Sequence, residues 1–225
     1  MMKADAKTKR KVRRIQELLA AAYGEPSPQQ EGAPLDSLIM TILSQNTNDV
    51  NSHRAYRAMR EAFPTWEDVM RAPRAKLERV LKPGGLARTK SGRIQRILRS
   101  IADSGELSLD HLRRMADDEA ERCLLAYEGV GYKTARCVLL FALGRDAFPI
   151  DTHILRVLKR LGILPEGMSA DKAHEYMPPL IPKGKCYIFH VNLIAHGRQV
   201  CHPRKPECAG CVLRRLCAYG TTHEC

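Results

Sequence analysis

The sequence of 225 residues predicts an all-α protein. Apolar residues recur three and four positions apart along most of the chain, a spacing that places them on one face of a helix. Glycine and proline residues separate these segments, and the alternation of apolar and polar residues that is typical of strands is missing. A chain of this length can bury a substantial core, either as one large domain or as two small ones.

The N-terminal part of the chain predicts an arm and two helices. Residues 1–10 are polar and basic and should form a flexible arm, followed by a helix from about Lys11 to Tyr23. Glycine and proline residues between positions 24 and 34 then predict a crossover between domains. The next helix should end near Ser44. Its buried face is expected to consist of Leu35, Leu38, Ile39, Ile42 and Leu43.

A run of polar residues at 44–49 separates this helix from the next one. Asn48 or Asp49 is placed to begin that next helix, since short polar side chains accept hydrogen bonds from the free N–H groups of a first turn. Thr65 and Pro73 should begin two short helices for related reasons.

A basic, glycine-rich loop at residues 82–90 contains a single leucine, Leu86. A leucine after a turn is more often packed on the core than exposed. An amphipathic helix should follow, and two further helices lead on from it. Ser108 and either Asp117 or Asp118 are expected to cap those two helices.

Two glycines, Gly129 and Gly131, flank a single valine and allow a sharp turn with positive φ between two helices. The second helix should start near Tyr132. Free N–H groups and the helix dipole at such a start favour an anionic oxygen, for example that of a phosphate. Lys133 lies in the first turn, where cations are disfavoured, and this unusual placement invites a functional interpretation. The alternative is a lysine that merely faces solvent, which is the commoner case for lysine.

Asp151 precedes another apolar helical stripe and is placed to be its N-cap. Ser169 should open a short helix, and residues 185–199 should form the final long one. His190 and His196 lie on or near the apolar face of this last helix. They are expected to be core or surface residues rather than ligands.

Eight cysteines without a secretion signal indicate metal or cluster ligation rather than disulfides. Cys123 and Cys137 fall in helical patterns and should be small buried apolar residues. Four others lie close together and can surround one centre, either a [4Fe-4S] cluster or a tetrahedral zinc ion. Only one pair has the C-x2-C spacing of a zinc knuckle, which favours the cluster. The four are Cys201, Cys208, Cys211 and Cys217.

Arg204 and Lys205 lie in the loop between the first two of these cysteines. A bound metal centre would stiffen the loop, and its two cations could then neutralise phosphates without reading sequence. The alternative is a solvated basic loop.

The excess of basic residues is large, with 37 Lys and Arg against 25 Asp and Glu, a net charge of +12 and a pI near 9.5. An acidic partner is expected, and nucleic acid is favoured over an anionic membrane because the charges are scattered rather than grouped beside an apolar segment. The N-terminus lacks an apolar core, so the protein is expected to be cytoplasmic and associated with the nucleoid, with no membrane contact.

Residues 129–135, GVGYKTA, and 150–153, IDTH, resemble the helix-hairpin-helix and Gly/Pro/Asp segment of the endonuclease III family of DNA glycosylases. The resemblance extends over about residues 11–220. It implies a six-helix barrel domain at 35–148 and an iron–sulfur cluster domain formed by 11–34 together with 149–225.

The resemblance also implies roles for individual residues. Lys133 would be the nucleophile and Asp151 the catalytic carboxylate. Gln45 would enter the DNA helix where the damaged nucleotide has left, from a loop that includes Thr47, and Leu86 would be a wedge on the opposite strand. The hairpin glycines Gly129 and Gly131 would contact DNA, and the four clustered cysteines would bind a [4Fe-4S] cluster.

These roles predict a monomeric, bifunctional DNA N-glycosylase and AP lyase. Its partner would be double-stranded DNA that contains an oxidised or damaged pyrimidine or an abasic site. One alternative is a monofunctional thymine or uracil mismatch glycosylase, although such relatives often replace the lysine found here as Lys133. An adenine-removing enzyme is disfavoured because Thr41 stands where those relatives have glutamate. The other alternative is a weakly active iron–sulfur module that binds DNA or senses redox state.

Overall fold

The computed structural model describes residues 5–28 and 32–222, and these residues form helices and connecting turns without any strand. The prediction of an all-α protein is confirmed for this part of the chain. In chain order the α-helices are α1 (Ala6–Tyr23), α2 (Pro34–Ser44), α3 (Asp49–Ala62), α4 (Trp66–Arg71), α5 (Arg74–Leu81), α6 (Ala87–Asp103), α7 (Asp117–Leu125), α8 (Tyr132–Cys137), α9 (Thr152–Arg160), α10 (Ala170–Tyr176), α11 (Cys186–Gln199) and α12 (Ala218–Thr222).

The described residues divide into two compact units. Residues 32–145 form one, called the hairpin unit here, and residues 5–28 with 146–222 form the other, called the cysteine unit. The predicted domain boundaries, after residues 34 and 148, lie a few residues further along the chain. No helix in the described ranges is both long and apolar enough to cross a membrane.

The first helix starts earlier than the sequence predicts. α1 begins at Ala6, and the side chain of Asp5 caps it by accepting a hydrogen bond of 2.5 Å from the backbone N–H of Thr8. The prediction of a flexible arm is therefore wrong for residues 5–10, because an aspartate cap followed by alanine and lysine residues supports helix from its first turn. Residues 1–4, the rest of the predicted arm, lie outside the described residues.

The core of the hairpin unit is formed mainly by α2 and α6. The five apolar residues predicted for the buried face of α2 are all at most 2% exposed. α2 packs on α3 and α8, and α6 packs on α4 and α5. Of the two candidates Asn48 and Asp49, Asn48 is the N-cap of α3. The predicted helix start at Thr65 is confirmed, and Thr65 forms a reciprocal capping box with Asp68. These local signals fix where α3 and α4 begin.

Two other predicted caps are wrong. Ala116 is the N-cap of α7, and Asp117 and Asp118 lie inside its first turn, where their charges face the positive end of the helix dipole. Ser108 contacts Asp110, the first residue of a short 3-10 helix, but the N-cap of that helix is Leu109. In both places acidic residues lie within the first turn and stabilise the helix start by their charge, and the N-cap side chain makes no capping hydrogen bond.

In the cysteine unit, α1 and α9 pack against the long helix α11. The rings of Phe148 and Phe189 stack with their centroids 5.5 Å apart at the centre of this core. His190 and His196 on α11 are 3% and 2% exposed, so both are core residues as predicted. Ser169 caps α10 as predicted, with its side chain accepting from the backbone N–H of Lys172.

Candidate functional site

The hairpin before α8 is built on two glycines that adopt different conformations. Gly129 has φ of +78°, in the left-handed region that the sequence predicts. Gly131 is the N-cap of α8 with φ of −100° and ψ of 177°, so the expectation of positive φ is wrong there. The side chain of Arg93 lies against Gly129, so a Cβ at this position would be 2.1 Å from Nε of Arg93 and would displace that side chain. Val130 is buried between the two glycines and anchors the turn.

Lys133 lies in the first turn of α8, as predicted, and its side chain is half-buried. Its ε-amine makes no hydrogen bond or ion pair with the residues that the structure describes. The neighbouring Thr134 is buried and helps to seat the helix on the core. α8 is short, and the chain continues directly into a π-helical segment, Val138–Ala142. The hairpin therefore presents an unpaired amine from a well-anchored position.

The loop after α2 reaches the same hairpin through Gln45. Nη1 of Arg93 donates to Oε1 of Gln45 at 2.6 Å, and Nε2 of Gln45 donates to Oγ1 of Thr134 at 3.3 Å. Asn46, the next residue, has φ of +53°, and Thr47 is half-buried. The predicted residue Gln45 therefore contacts Thr134, the residue that follows Lys133 in α8. No sequence pattern singled out Arg93, which contacts Gln45 from 48 positions away.

Leu86 is exposed, so its interpretation as a core anchor is excluded. The side chain is 54% accessible, and the residue forms the N-cap of α6 with φ of +49°. Lys90 holds the loop of Leu86 in place. Its Nζ donates to the carbonyl of Gly84 at 2.8 Å and to that of Leu43 at 2.7 Å. Lys90 is only 2% exposed, and burial lowers its pKa.

These two hydrogen bonds join the segments that carry Gln45 and Leu86. Leu43 lies two residues before Gln45, and Gly84 lies two residues before Leu86. The turn at Gly84 also packs tightly on α3, because a Cβ there would lie 2.9 Å from Cβ of Ala55. Sequence reasoning missed Lys90, since lysine is almost never fully buried without a partner.

In the cysteine unit, Asp151 is the N-cap of α9, as predicted. Its Oδ1 accepts a hydrogen bond of 2.7 Å from the backbone N–H of Ile154. The other carboxylate oxygen has no hydrogen-bond partner within the described part of the chain. Asp151 is half-buried. One oxygen therefore holds the helix start while the second is available for chemistry.

Two buried histidines fix the segment that leads to Asp151. The backbone N–H of Ile150 donates to Nε2 of His174 at 3.0 Å. Because Nε2 accepts, the proton of the neutral ring lies on Nδ1, which donates to the carbonyl of Ala170 at 2.7 Å. His190 contacts the carbonyl of Pro149 through Nδ1 at 2.9 Å. These contacts hold the backbone before the carboxylate in one conformation, and the sequence did not single out His174.

The four clustered cysteines line a single cavity, together with residues that include Arg160 and His196. Three of their sulfurs contact nitrogen atoms: Arg160 Nη1 lies 3.3 Å from Cys201 Sγ, the N–H of Gly220 lies 3.4 Å from Cys217 Sγ, and His196 Nε2 lies 3.6 Å from Cys211 Sγ. Tyr23 contacts the other ring nitrogen of His196 at 3.0 Å. Burial lowers the pKa of His196 to about 4, so its ring is neutral.

No three His, Cys, Asp or Glu side chains in residues 5–28 and 32–222 converge closely enough to hold a single metal ion. The four sulfurs line the cavity without meeting around the position of one ion. Cys137 is buried as predicted, but Cys123 is only half-buried. Its sulfur lies 4.0 Å from Nε2 of His111, and burial raises its pKa.

Arg204 and Lys205 are both exposed on the loop between the first two clustered cysteines. Lys205 has φ of +50°. Arg160 at the end of α9 fixes the base of this loop by donating to the carbonyls of His202 at 2.6 Å and Pro203 at 3.0 Å. The guanidinium of Arg160 in turn lies over the ring of Tyr219, 4.7 Å from its centroid. The two cations are thus carried by a loop whose backbone is held in place.

The sequence of this chain is similar to those of known DNA repair proteins. Residues 39–183 match the model of the HhH-GPD superfamily of base excision DNA repair proteins. A protein of Arabidopsis thaliana named as a DNA glycosylase is 35% identical over 170 residues, which span 75% of this chain and 58% of that protein. Endonuclease III of Thermotoga maritima is 30% identical over 194 residues, which span 86% of this chain and 87% of the enzyme.

The fold is also similar to that of solved structures. A trapped covalent intermediate of endonuclease III with DNA superposes with a TM-score of 0.82 and 30% identity, covering 95% of this chain and 97% of that one.

Proposed function

Because the chain belongs to the endonuclease III family, within the HhH-GPD superfamily of base excision DNA repair proteins, we propose that this DNA glycosylase is bifunctional and also cuts abasic sites. Its substrate is double-stranded DNA that contains an oxidised or damaged pyrimidine or an abasic site, and it acts as a monomer. The observation that carries this proposal is the half-buried amine of Lys133 in the first turn after the glycine hairpin, which has no partner among the residues that the structure describes.

In the proposed reaction the uncharged amine of Lys133 attacks C1′ of the damaged nucleotide. The bond from Nζ to C1′ forms while the glycosidic bond breaks, and the base leaves with the bonding electrons and takes up a proton. Opening of the sugar ring gives a Schiff base. Loss of the C2′ proton then moves an electron pair toward C3′, and the C3′–O bond breaks with departure of the phosphate. Hydrolysis of the imine returns the amine.

Asp151 has a separate role in this scheme. Its free carboxylate oxygen stabilises positive charge that develops on the sugar and assists proton transfer as the base leaves. The cap hydrogen bond to Ile154 fixes the direction of the carboxylate. The buried contacts of His174 and His190 keep the preceding backbone from shifting during this step.

Five residues of the hairpin unit contact the DNA in this proposal. Gln45 fills the space that the extruded nucleotide leaves, with Thr47 from the same loop beside it, and exposed Leu86 wedges between bases of the opposite strand. The open backbone at Gly131, where a Cβ would meet nothing within 4 Å, allows a phosphate to approach together with Gly129.

Cys201, Cys208, Cys211 and Cys217 hold a [4Fe-4S] cluster in this proposal, and the residues fit it. All four line one cavity, and N–H groups of Arg160 and Gly220 point at two of the sulfurs, as is common around thiolate ligands. When bound, the cluster supplies a rigid cross-link of the loop rather than a reacting atom. The loop then holds Arg204 and Lys205 against DNA phosphates.

Covalent trapping tests the proposal. A duplex with an abasic site, incubated with the protein and borohydride, should give a stable protein–DNA adduct because the reductant captures the imine. The substitution Lys133→Gln should abolish the adduct while abasic-site binding is largely kept. Lys172→Gln, which removes an exposed lysine of α10, is the matched control and should be trapped like the parent protein.

The outcomes separate the alternatives. Release of a damaged base without any trapping would show a monofunctional glycosylase, and trapping of K133Q at the parental rate would assign the chemistry to another amine. A panel of duplexes that carry single oxidised pyrimidines or thymine and uracil mismatches then identifies the accepted base.

A further inference from the structure

One arginine, Arg93, connects the glycine hairpin to the Gln45 loop. It lies on α6, and its guanidinium donates to Oε1 of Gln45 at 2.6 Å while the opposite end of that amide donates to Thr134. We propose that Arg93 is a positioning residue, which holds the side chain of Gln45 ready for insertion into the space left by an extruded nucleotide. This inference rests on the role proposed above for Gln45.

The guanidinium of Arg93 is itself held by the hairpin. Its side chain crosses the backbone at Gly129 so closely that a Cβ there would lie within 3 Å of three of its atoms. Its Nε is buried and lacks a hydrogen-bond partner among the described residues. The N–H group has therefore lost its contact with water without gaining a hydrogen bond, which is energetically unfavourable. An arginine that served only to meet a phosphate would be extended into solvent, where its five donors stay hydrated.

Preorganisation is the physical benefit of this arrangement. A free glutamine side chain samples several rotamers, and ordering it on DNA costs conformational entropy. Arg93 and Thr134 fix the two ends of the amide before DNA is present, so that cost is met during folding rather than during binding. The contribution of Arg93 to DNA binding should therefore depend on Gln45 and should exist only where a nucleotide has left the helix.

A double-mutant cycle tests this dependence. The variants are R93M, Q45A and the double variant, and binding is measured to a duplex with a tetrahydrofuran abasic analogue and to the intact duplex of the same sequence. R93M should weaken abasic-duplex binding about tenfold, the scale of one hydrogen bond to a charged group, and should change intact-duplex binding much less. In the Q45A background R93M should have no further effect.

Arg96 provides the matched control on the same helix. It is exposed and paired with Glu128 at 2.6 Å, at the start of the hairpin, but it does not contact Gln45. R96M removes the same charge near the same segment and should affect both duplexes alike, with or without Gln45. R93K, which keeps the charge and donors, should recover part of the abasic-site preference.

Equal losses from R93M in the Gln45 and Q45A backgrounds would overturn the inference and leave the role of Gln45 intact. If Q45A itself weakens binding to both duplexes equally, the proposed insertion of Gln45 and this inference both fail. Thermal unfolding of each variant checks that it folds, and if R93M does not, R93Q carries the same cycle.

Discussion

Replacement of Lys90 by methionine is the sharpest test of how the hairpin unit is held together. Methionine keeps the length and apolar stem of lysine but has no donor, so the carbonyls of Leu43 and Gly84 both lose their partner in a buried site. Each unsatisfied buried group costs about 1–3 kcal/mol. Removal of a desolvated ammonium offsets part of this. We therefore expect Lys90→Met to lower the free energy of unfolding by about 2–4 kcal/mol.

The pH dependence of this difference has a definite sign. Burial lowers the pKa of Lys90 in the folded state, so between that pKa and the ordinary value of 10.5 the unfolded chain binds more protons at this residue. Stability contributed by such a group rises with pH across this window. The free energy of unfolding of the parent protein, measured against K90M, should accordingly increase as the pH approaches the ordinary lysine value from below.

Urea unfolding followed by circular dichroism measures both effects, with the slope of the transition checking that the unfolded state is unchanged. Lys82→Met removes an exposed lysine just before the same turn and should leave stability nearly unaffected. K90M should also reduce the preference for an abasic duplex, since the segments that carry Gln45 and Leu86 are no longer joined. A K90M protein within about 0.5 kcal/mol of the parent, the scale of an ordinary surface change, would refute this reasoning.

Three further substitutions test the other parts of the site. Cys208→Ser should remove bound iron with its broad visible absorption and should lower the melting temperature. Cys123→Ser, the control, should keep the iron and the melting temperature of the parent protein. Metal analysis that finds zinc and no iron in the parent would contradict the cluster. Asp151→Asn should slow base release by about 10²-fold in single-turnover assays, yet fold normally because asparagine also caps helices well. Lys205→Gln should reduce the slope of log K against log salt by about one unit, and an unchanged slope would place this side chain away from phosphate.

Features that depend on a few adjacent residues could be predicted from the sequence. The sequence predicts a cap at Asn48 or Asp49, a helix start at Thr65 and a cap at Asp151, because each depends on a polar side chain next to the helical segment that it begins. The buried face of α2 followed from spacing alone. The start of α1 did not, because the basic composition of the first residues concealed the cap at Asp5.

The contacts that support the site join residues far apart in the chain, and no local pattern encodes them. Lys90 is bonded to a carbonyl 47 positions away, and Arg93 to an amide 48 positions away. In the sequence both are basic residues of an amphipathic helix, which are normally solvated. The expectation for Gly131 was wrong for a different reason: glycine permits positive φ but does not require it, and here only Gly129 needs that conformation.

The long-range contacts of Lys90 and Arg93 both start from one element, helix α6. Leu86 caps its N-terminus, Lys90 lies one turn further along and reaches the end of α2, and Arg93 follows by another turn and contacts Gln45. Arg96 continues the series with two hydrogen bonds to Glu128 at the start of the hairpin. A helix is stiff over this length. Helix α6 therefore holds Leu86, Gln45 and the turn before Lys133 at fixed distances from one another. A substitution that shifts α6 should therefore disturb all three contacts together, whereas a change in any one loop should not.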